Sequence, residues 1–286
     1  GEIPQNPVVP EAAFCEDGGQ LFYRRQGAAR ELLFTCRAGA PLGRQRYAAG
    51  EWSGYGHSDP GNGSFLLMVN RDFVVCGPGP VYRRDTLLHN TMTFNGRGQI
   101  GDRLPWAPEF IPQQHMAQVT RVDHAANLCR IEMDLTRAYL PHLRVLQCRR
   151  CFYLLQGDVL VIHDRVRVQE ECEMQWNVHT RAGVRTVSET PHPQLRLETA
   201  ETAWQLLCLA PAPVSIRTGL SEFVPAYPNS GEADRFIQFY GMGQQKDYII
   251  VIAPVGAELQ WPRTGERHDR IAHFSLTIAG ATVVLW

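Results

Sequence analysis

The sequence has almost no net charge, no long apolar runs and a single lysine. Its 28 basic and 29 acidic residues leave a formal charge of −1, whereas a nucleic-acid-binding protein shows a clustered basic surplus. No stretch approaches the roughly 18 consecutive apolar residues that a membrane-spanning helix needs. We therefore expect neither a nucleic-acid partner nor a membrane partner. Lys246 is the only lysine, and because arginine takes its place along the whole chain, codon bias is a simpler explanation than recognition of carboxylate or sulfate groups.

The eight cysteines follow no regular framework. The single close pair, Cys148 and Cys151, lacks the second pair that a zinc ribbon requires, and it lies in a strand-like run rather than in the βαβ setting of a redox motif. Most of these thiols are expected to be small buried core residues. Disulfide bonding and the cellular compartment stay open on this basis.

Helical periodicity is almost absent from the sequence. Apolar runs are short and are separated by Gly, Pro, Asn and Asp, which is typical of strands joined by turns. Turn signals such as Asn70-Arg71-Asp72 and Asn95-Gly96 connect neighbouring runs, and strands joined in this way form antiparallel sheets. We predict an all-β fold, a large two-layer antiparallel β-sandwich of the supersandwich type, as a single domain over residues 1–286. The Pro- and Ser-rich stretch 211–233 is predicted to be a long surface connection.

The segment from Gly54 to Gly101 is chemically unlike the rest of the chain. A loop of small residues at 54–65 contains Tyr55 and His57 and leads directly into an apolar strand. A second such point, which contains His89, precedes the next strand. Two histidines at neighbouring sheet ends could share a zinc ion through neutral imidazole nitrogens. A histidine in front of a strand is otherwise a hydrogen-bonded structural residue, and both interpretations remain open at this point.

The order of short motifs along the chain resembles that of the heparinase II/III-type polysaccharide lyases. The resemblance extends from about residue 12 to residue 182, and beyond that it rests on strand pattern alone. The matching pieces are His57-Ser58-Asp59, Gly63-Ser64-Phe65, Gly77-Pro78-Gly79, His89-Asn90-Thr91, Asn95-Gly96-Arg97-Gly98-Gln99, Asp134-Leu135-Thr136-Arg137-Ala138-Tyr139, Val161-Ile162-His163-Asp164-Arg165-Val166 and Trp176-Asn177-Val178-His179-Thr180.

This resemblance implies a lyase that degrades uronic-acid polysaccharides, the glycosaminoglycans among them, by β-elimination in the periplasm or outside the cell. Members of the family pair a helical α/α toroid with a β-sandwich that follows it, and this chain resembles the sandwich alone. An acidic polysaccharide or oligosaccharide and a preceding toroid domain are therefore the expected partners. The chain by itself is expected to be inactive or incomplete.

The resemblance also assigns roles to individual residues. Tyr55 stands where family members carry a catalytic histidine, and a phenol can act as acid or base if nearby cations lower its pKa from about 10. His57 and His89 match the first and last ligands of a divalent metal ion, with zinc as the expected cofactor. The middle ligand, normally an aspartate, falls on Gly77. Two imidazoles alone would hold zinc weakly, and Asp59 and Asp85 are the candidates to replace the missing carboxylate.

Four further residues are predicted to bind substrate. Arg83 and Arg84 lie beside the His89 loop and could pair with carboxylate or sulfate groups, although turn arginines are often only solvated. Asn90 belongs to the same motif as His89, and Trp106 could stack on a sugar ring or pack at the core edge. The other predicted function is a non-catalytic β module that binds glycan or serves as a scaffold, with a degenerate metal site at Gly77.

Overall fold

The computed structural model describes most of the chain, and the described part is almost entirely extended. It comprises residues 11–26, 30–40, 42–50, 59–77, 84–104, 111, 113–125, 127–156, 158–190, 192–210, 213–221, 234–260, 274–278 and 281–285. The helical elements in these ranges are short: α1 (Arg44–Ala48) and the 3-10 helices Thr86–Leu88, Gln113–His115, Thr136–Ala138 and Pro141–Leu143. None of these described helices is long and apolar enough to cross a membrane.

The amino-terminal part forms a five-stranded antiparallel sheet in which the strands follow chain order. Its strands are β1 (Ala12–Cys15), β2 (Gln20–Gln26), β3 (Glu31–Arg37), β4 (Phe65–Val69) and β5 (Asp72–Val75). Every second residue of β3 is buried, which is the period of a strand with one face in the core. The predicted turn at Asn70 is confirmed, since this residue takes a positive φ of 55° between β4 and β5.

A ten-stranded antiparallel sheet forms the second layer. The strands are β6 (Met92–Phe94), β7 (Gln118–Ala125), β8 (Leu128–Asp134), β9 (Val145–Leu155), β10 (Val159–Thr180), β11 (Gly183–Ser188), β12 (Gln194–Glu198), β13 (Ala203–Leu209), β14 (Ser215–Leu220) and β15 (Arg235–Pro254). Their order in the sheet is β11-β12-β13-β15-β10-β9-β8-β7, with β14 paired to β15 and β6 paired to β10. A separate three-stranded sheet contains β16 (Leu259–Gln260), β17 (Phe274–Ile278) and β18 (Ala281–Leu285).

The main hydrophobic core lies between the five-stranded and ten-stranded sheets. Phe34 and Phe65 of the smaller sheet meet Phe152 of the larger one, with ring centroids 5.2 and 5.4 Å apart, and all three rings are buried. Burying an aromatic or branched apolar side chain contributes about 1.5–3 kcal/mol, so this interface supplies much of the driving force for folding. The predicted all-β, two-layer antiparallel sandwich is confirmed.

Three local predictions need correction. The apolar runs 159–168 and 172–180, which the sequence pattern predicts as two strands, are one 22-residue strand, β10, whose pairing with β15 shifts register between Arg167 and Cys172. The long strand β15 likewise joins the runs 236–240 and 248–253, which the sequence pattern also predicts as two strands. The stretch 211–233 is not wholly a connection, because β14 occupies part of it. All eight cysteines are free thiols.

Candidate functional site

The candidate site lies where the two sheets converge at one end of β10. Cys76, just after β5, forms an isolated β-bridge with His179 near the end of β10. Two connecting segments meet there, residues 59–64 ahead of β4 and residues 84–91 ahead of β6. We call Asp59, Arg84, His89, Asn90 and His179 the His89 cluster.

His89 is only partly accessible to solvent, and its ring packs directly against the backbone of Gly61. A Cβ atom on Gly61 would lie 2.8 Å from Cγ and Nδ1 of His89, so the chain needs a residue without a side chain at this point. Desolvation lowers the pKa of His89 below its ordinary value and the charge of Arg84 adds to this effect, while Asp59 and Asp102 oppose it. The imidazole is therefore neutral at pH 7 and keeps a nitrogen lone pair available.

Asn90 connects the His89 segment to β4, to β10 and to Cys76 just after β5. Its Nδ2 donates hydrogen bonds to the carbonyl oxygens of Phe65 and Cys76, both at 2.7 Å. Its Oδ1 accepts a 2.7 Å hydrogen bond from the backbone N–H of His179. The side chain is fully buried, and through these hydrogen bonds it holds the neighbouring His89 in place. Its predicted contact with substrate stays a prediction.

Arg84 presents a buried guanidinium that is incompletely paired. Its Nε donates to Oδ1 of Asp59 at 3.4 Å, and only 6% of its side chain is exposed. Among the described residues, its buried NH1 group has no hydrogen-bond partner. Burial lowers the pKa of Arg84, although Asp59 opposes that shift. A buried N–H without an acceptor costs about 1–3 kcal/mol, so an incoming carboxylate or sulfate oxygen would gain by pairing with it.

A second histidine, His179, is buried behind Asn90. Its Nδ1 lies 3.3 Å from the Asn90 Oδ1. Burial and the neighbouring His89 lower the pKa of His179 to about 3, so it stays neutral in the folded protein. This burial and the hydrogen bond give His179 a structural role.

Because His179 is buried in its neutral form, we expect the protein to lose stability in acid. Its pKa falls from 6.5 to about 3 on folding, so below pH 6.5 the unfolded chain binds one more proton than the folded chain at this residue. The contribution of His179 to the free energy of unfolding is fully present above pH 6.5. It decreases by about 1.4 kcal/mol per pH unit as the pH falls towards 3. Urea unfolding between pH 7 and pH 5 measures this slope.

The variant His179→Gln isolates the contribution of this histidine. We expect a lower free energy of unfolding at pH 7. We also expect that free energy to depend less steeply on pH, because unfolding then takes up as much as one proton fewer. The matched control is His142→Gln, at an exposed position in a short helix, which should leave the slope unchanged. Equal slopes in His179→Gln and the parent would contradict the expected proton uptake.

A fully buried ion pair supports the His89 cluster from the core side. Arg150 on β9 binds Asp164 on β10 through two parallel hydrogen bonds of 2.8 and 2.7 Å. The indole N–H of Trp176 donates to the same carboxylate at 2.6 Å. The remaining Arg150 nitrogen, NH1, donates to the carbonyl oxygens of Gly63 and Asn90, both at 2.6 Å. The pair thus holds both connecting segments of the site.

A second set of hydrogen bonds joins each of those connecting segments to residues 99–102. The backbone N–H of Asn62 donates to Oε1 of Gln99, whose Nε2 donates back to the Asn62 carbonyl, both at 2.8 Å. Asp102 accepts from the backbone N–H of Thr86 at 2.8 Å. Because all of these polar groups are paired, the site is built on a rigid frame rather than on a free loop.

The structure brings together only some of the residues predicted from sequence. Arg84, His89 and Asn90 are neighbours, and Asp59 joins them. Tyr55, His57, Arg83 and Trp106 lie outside the described residues, and their roles stay predictions. The supporting ion pair was missed, although Asp164 gave a signal, since this carboxylate lies just after the apolar run 159–162 of β10.

The described residues do not form a complete zinc site. Gly77 offers no ligand atom, and a Cβ there would meet only a methyl carbon of Leu66, at 3.4 Å. Of the two predicted histidine ligands, only His89 is described. No group of three His, Cys, Asp or Glu side chains suited to a metal occurs in the described segments. We therefore derive no reaction step through a metal ion.

Comparison with known proteins places this geometry in a family context. The family model described as heparinase II/III-like, C-terminal, matches residues 22–249. No curated protein sequence matches the chain.

Several solved structures share the fold. A heparinase III gene product superposes with a TM-score of 0.73 at 14% identity, covering 98% of this chain and 43% of that structure. A mutant of the heparan sulfate lyase HepC from Pedobacter heparinus gives a TM-score of 0.71 at 12% identity, covering 100% and 43%. A further heparinase III structure gives 0.70 at 14% identity, covering 96% and 42%. At these identities the likeness shows the fold, and the chain spans less than half the length of these structures.

Proposed function

Because the chain belongs to the heparinase II/III-like C-terminal family, we propose that it is the β-sandwich part of a lyase that cleaves uronic-acid polysaccharides by β-elimination. The observation that carries this proposal is the NH1 group of Arg84, which has no hydrogen-bond partner among the described residues and is buried beside a neutral and partly accessible His89. A cationic donor that lacks an acceptor next to a titratable ring is the arrangement that an acidic substrate would complete.

The proposed reaction has three requirements, and the described residues address the first. The uronate carboxylate must be neutralised, so that the C5 proton becomes acidic and the charge that develops in the transition state is stabilised. Arg84 can do this through a charge-assisted hydrogen bond to the carboxylate, which is stronger than a neutral one. Its low exposure keeps that interaction in a poorly hydrated environment, where it is worth more than in water.

The other two requirements are a base that removes the C5 proton and an acid that protonates the departing glycosidic oxygen. We propose Tyr55 for one of these steps, on the family pattern, and the neutral imidazole of His89 as the neighbouring hydrogen-bonding group. Zinc, if bound by His57 and His89 as the family pattern suggests, would supply positive charge near the substrate. Asn90 and Arg150 would position His89 rather than react.

The rest of the active site is proposed to come from a helical toroid domain. Support comes from the limited share of the matched structures that this chain covers, about 43%. A site divided between two domains suits a long polymer, because substrate sites often lie at domain interfaces. A periplasmic or extracellular location is proposed with it, since the polysaccharides concerned occur outside the cytoplasm.

The second candidate function is a non-catalytic module that binds glycan or serves as a scaffold. The observation in its favour is Gly77, which removes the ligand atom that a metal site would need. Such a module could still use Arg84 to bind acidic sugars, so binding alone does not separate the two candidates.

A cleavage assay separates them. The complete natural reading frame that encodes these residues would be tested on acidic polysaccharides by the ultraviolet absorbance of unsaturated uronate, beside the 286-residue chain alone. We expect cleavage by the former and little by the latter, and at least a 100-fold loss of kcat in Tyr55→Phe because proton transfer contributes about 10²–10⁴-fold. If Tyr55→Phe cleaves as fast as the parent and metal analysis finds no bound ion, the module interpretation is correct.

A further inference from the structure

A line of hydrogen bonds runs from the His89 segment across the large sheet to the edge strand β14. Nδ2 of Asn177 donates to the Thr91 carbonyl at 2.9 Å. Oδ1 of Asn177 accepts from Nε2 of Gln238 at 2.8 Å, and Oε1 of Gln238 accepts from NH1 of Arg217 at 2.7 Å. We call Thr91, Asn177, Gln238 and Arg217 the amide line.

The orientation of each side-chain amide in this line is set by the first acceptor, the carbonyl oxygen of Thr91. A backbone carbonyl can only accept a hydrogen bond, so Asn177 must turn its NH2 group towards Thr91 and its oxygen towards Gln238. The same reasoning then turns the oxygen of Gln238 towards Arg217. Because Asn177 and Gln238 are buried, the line holds the Arg217 side chain in a defined direction, which lowers the entropy lost when a ligand binds.

Arg217 itself lies at the open end of the line. It is exposed, and its guanidinium carbon lies 4.4 Å from the centroid of the Tyr240 ring. No acidic side chain among the described residues lies within salt-bridge distance of it. Most other arginines described here, such as Arg130, Arg144 and Arg196, pair with a carboxylate. Arg217 therefore has a fixed position, an aromatic support and hydrogen-bond donors that face solvent.

Aromatic surface flanks this arginine on the same face of the sheet. Phe236, Gln238 and Tyr240 alternate along β15, so their side chains share the face that lies away from the core residues Ile237 and Phe239. Both aromatic rings are partly exposed. The Phe236 ring lies over Gly219 of β14, where a Cβ would come within 2.8 Å of it, so only glycine at that position lets the ring lie so close to the strand.

We propose that Arg217, Tyr240 and Phe236 form a subsite for an acidic sugar unit, in which Arg217 binds a carboxylate or sulfate group and the aromatic rings contact the sugar. This inference deepens the proposed function and rests on it for the polymer concerned. Arg217 is two strands away from Asn177, and strands lie about 4.8 Å apart, so the subsite lies roughly 10 Å from the part of β10 next to the His89 cluster. An oligosaccharide of a few units could reach both places.

The subsite is tested by titrating the 286-residue chain with three tetrasaccharides and measuring the Kd for each. The probes are an unsulfated tetrasaccharide of alternating glucuronate and N-acetylglucosamine, its sulfated counterpart, and the neutral cellotetraose. We expect Arg217→Gln to weaken binding of at least one acidic probe tenfold or more and to leave the weak binding of the neutral probe unchanged. Which acidic probe responds identifies carboxylate or sulfate as the recognised group.

Two further variants test whether the loss of binding is specific to this subsite. Tyr240→Leu should also weaken the acidic probe, because it removes the support of the guanidinium. Arg196→Gln, on β12 of the same sheet and paired with Glu198 at 2.7 Å, should leave the Kd unchanged if binding is specific. An equal loss in Arg196→Gln and Arg217→Gln, no loss in Arg217→Gln, or no binding of any acidic probe at millimolar concentration would overturn the proposal.

The same variants distinguish this proposal from the proposed function. In the complete protein, Arg217→Gln should raise KM tenfold or more and change kcat less than threefold, because the residue lies away from the bond that breaks. Cleavage that depends on Arg84 but is indifferent to Arg217→Gln would reject the subsite alone. Acidic-probe binding that depends on Arg217, in a protein that cleaves no polysaccharide, would retain the subsite and reject the lyase function.

Discussion

Replacing Arg150 by methionine is expected to lower the free energy of unfolding by about 3–5 kcal/mol, because the carboxylate of Asp164 would be left buried without its cation. Both side chains are essentially inaccessible, at 0% and 1% exposure. The change would also remove the donor that binds the carbonyl oxygens of Gly63 and Asn90. Since total stabilities are about 5–15 kcal/mol, this is a large share. Urea unfolding measures it.

The adjacent residue provides a matched control. Arg149 has the same side chain on the same strand, but 65% of it is exposed and its nearest carboxylate oxygen, on Asp134, lies 3.8 Å away. Exposed ion pairs contribute about 0–1 kcal/mol, so Arg149→Met should have little effect. A cost for Arg150→Met no greater than that of Arg149→Met would show that the buried pair does not support the fold. If Arg150→Met does not fold at all, Arg150→Lys tests the same contribution. It keeps the charge but loses the paired geometry, so its loss of stability should be smaller.

Replacing Arg84 by glutamine in the complete protein is expected to lower kcat/KM for an acidic polysaccharide by about 10²–10³-fold, the usual cost of removing one preorganised donor from a site of developing charge. The partner of Arg84, Asp59, is 36% exposed, so water can compensate for its loss and the fold should persist. Initial rates of unsaturated-uronate formation measure the effect, and urea unfolding checks stability.

A surface arginine serves as the comparison for Arg84. Arg121 on β7 is 53% exposed and pairs with Asp123 at 2.6 Å, so Arg121→Gln should leave kcat/KM within twofold of the parent. Arg84→Lys should recover part of the lost activity, because it restores the charge without the planar donor geometry. A loss below threefold in Arg84→Gln, with Arg84→Lys no different, would remove Arg84 from the proposed chemistry.

The sequence was sufficient to predict the architecture because the architecture depends on local patterns. Alternating burial in β3 and β8 follows from alternating apolar residues, and the turn at Asn95-Gly96 follows from residues that tolerate positive φ, observed at 50° and 68°. The length of β10 was not predictable in this way. Its middle carries the polar run Gln169-Glu170-Glu171, which resembles a turn in sequence. The run is nevertheless extended, and it falls where the pairing of β10 with β15 shifts register between Arg167 and Cys172.

The candidate site was predictable only in part, for a related reason. The motifs around His89 stand out because small and polar residues interrupt apolar runs, and such interruptions are visible in one dimension. Arg150, in contrast, sits beside Cys148 and Cys151 and looks like one of many arginines. Its partner Asp164 is 14 residues away and its contact Gly63 is 87 residues away, so only the folded arrangement reveals that it supports the site.

The length of β10 has a consequence for how the site moves. One strand carries Asp164, Trp176 and His179, and it is paired with neighbouring strands on both sides over residues 160–167 and 174–176. The backbone N–H of His179 donates to the buried Asn90 Oδ1, and its carbonyl oxygen accepts from the N–H of Cys76. Opening the backbone there would therefore require the Asn90 and Cys76 segments to separate from β10 together, rather than local fraying. In an amide hydrogen-exchange experiment, the backbone N–H of His179 should exchange as slowly as those in the centre of the sheet. Any motion that admits a long substrate would then have to occur in the segments that surround this strand.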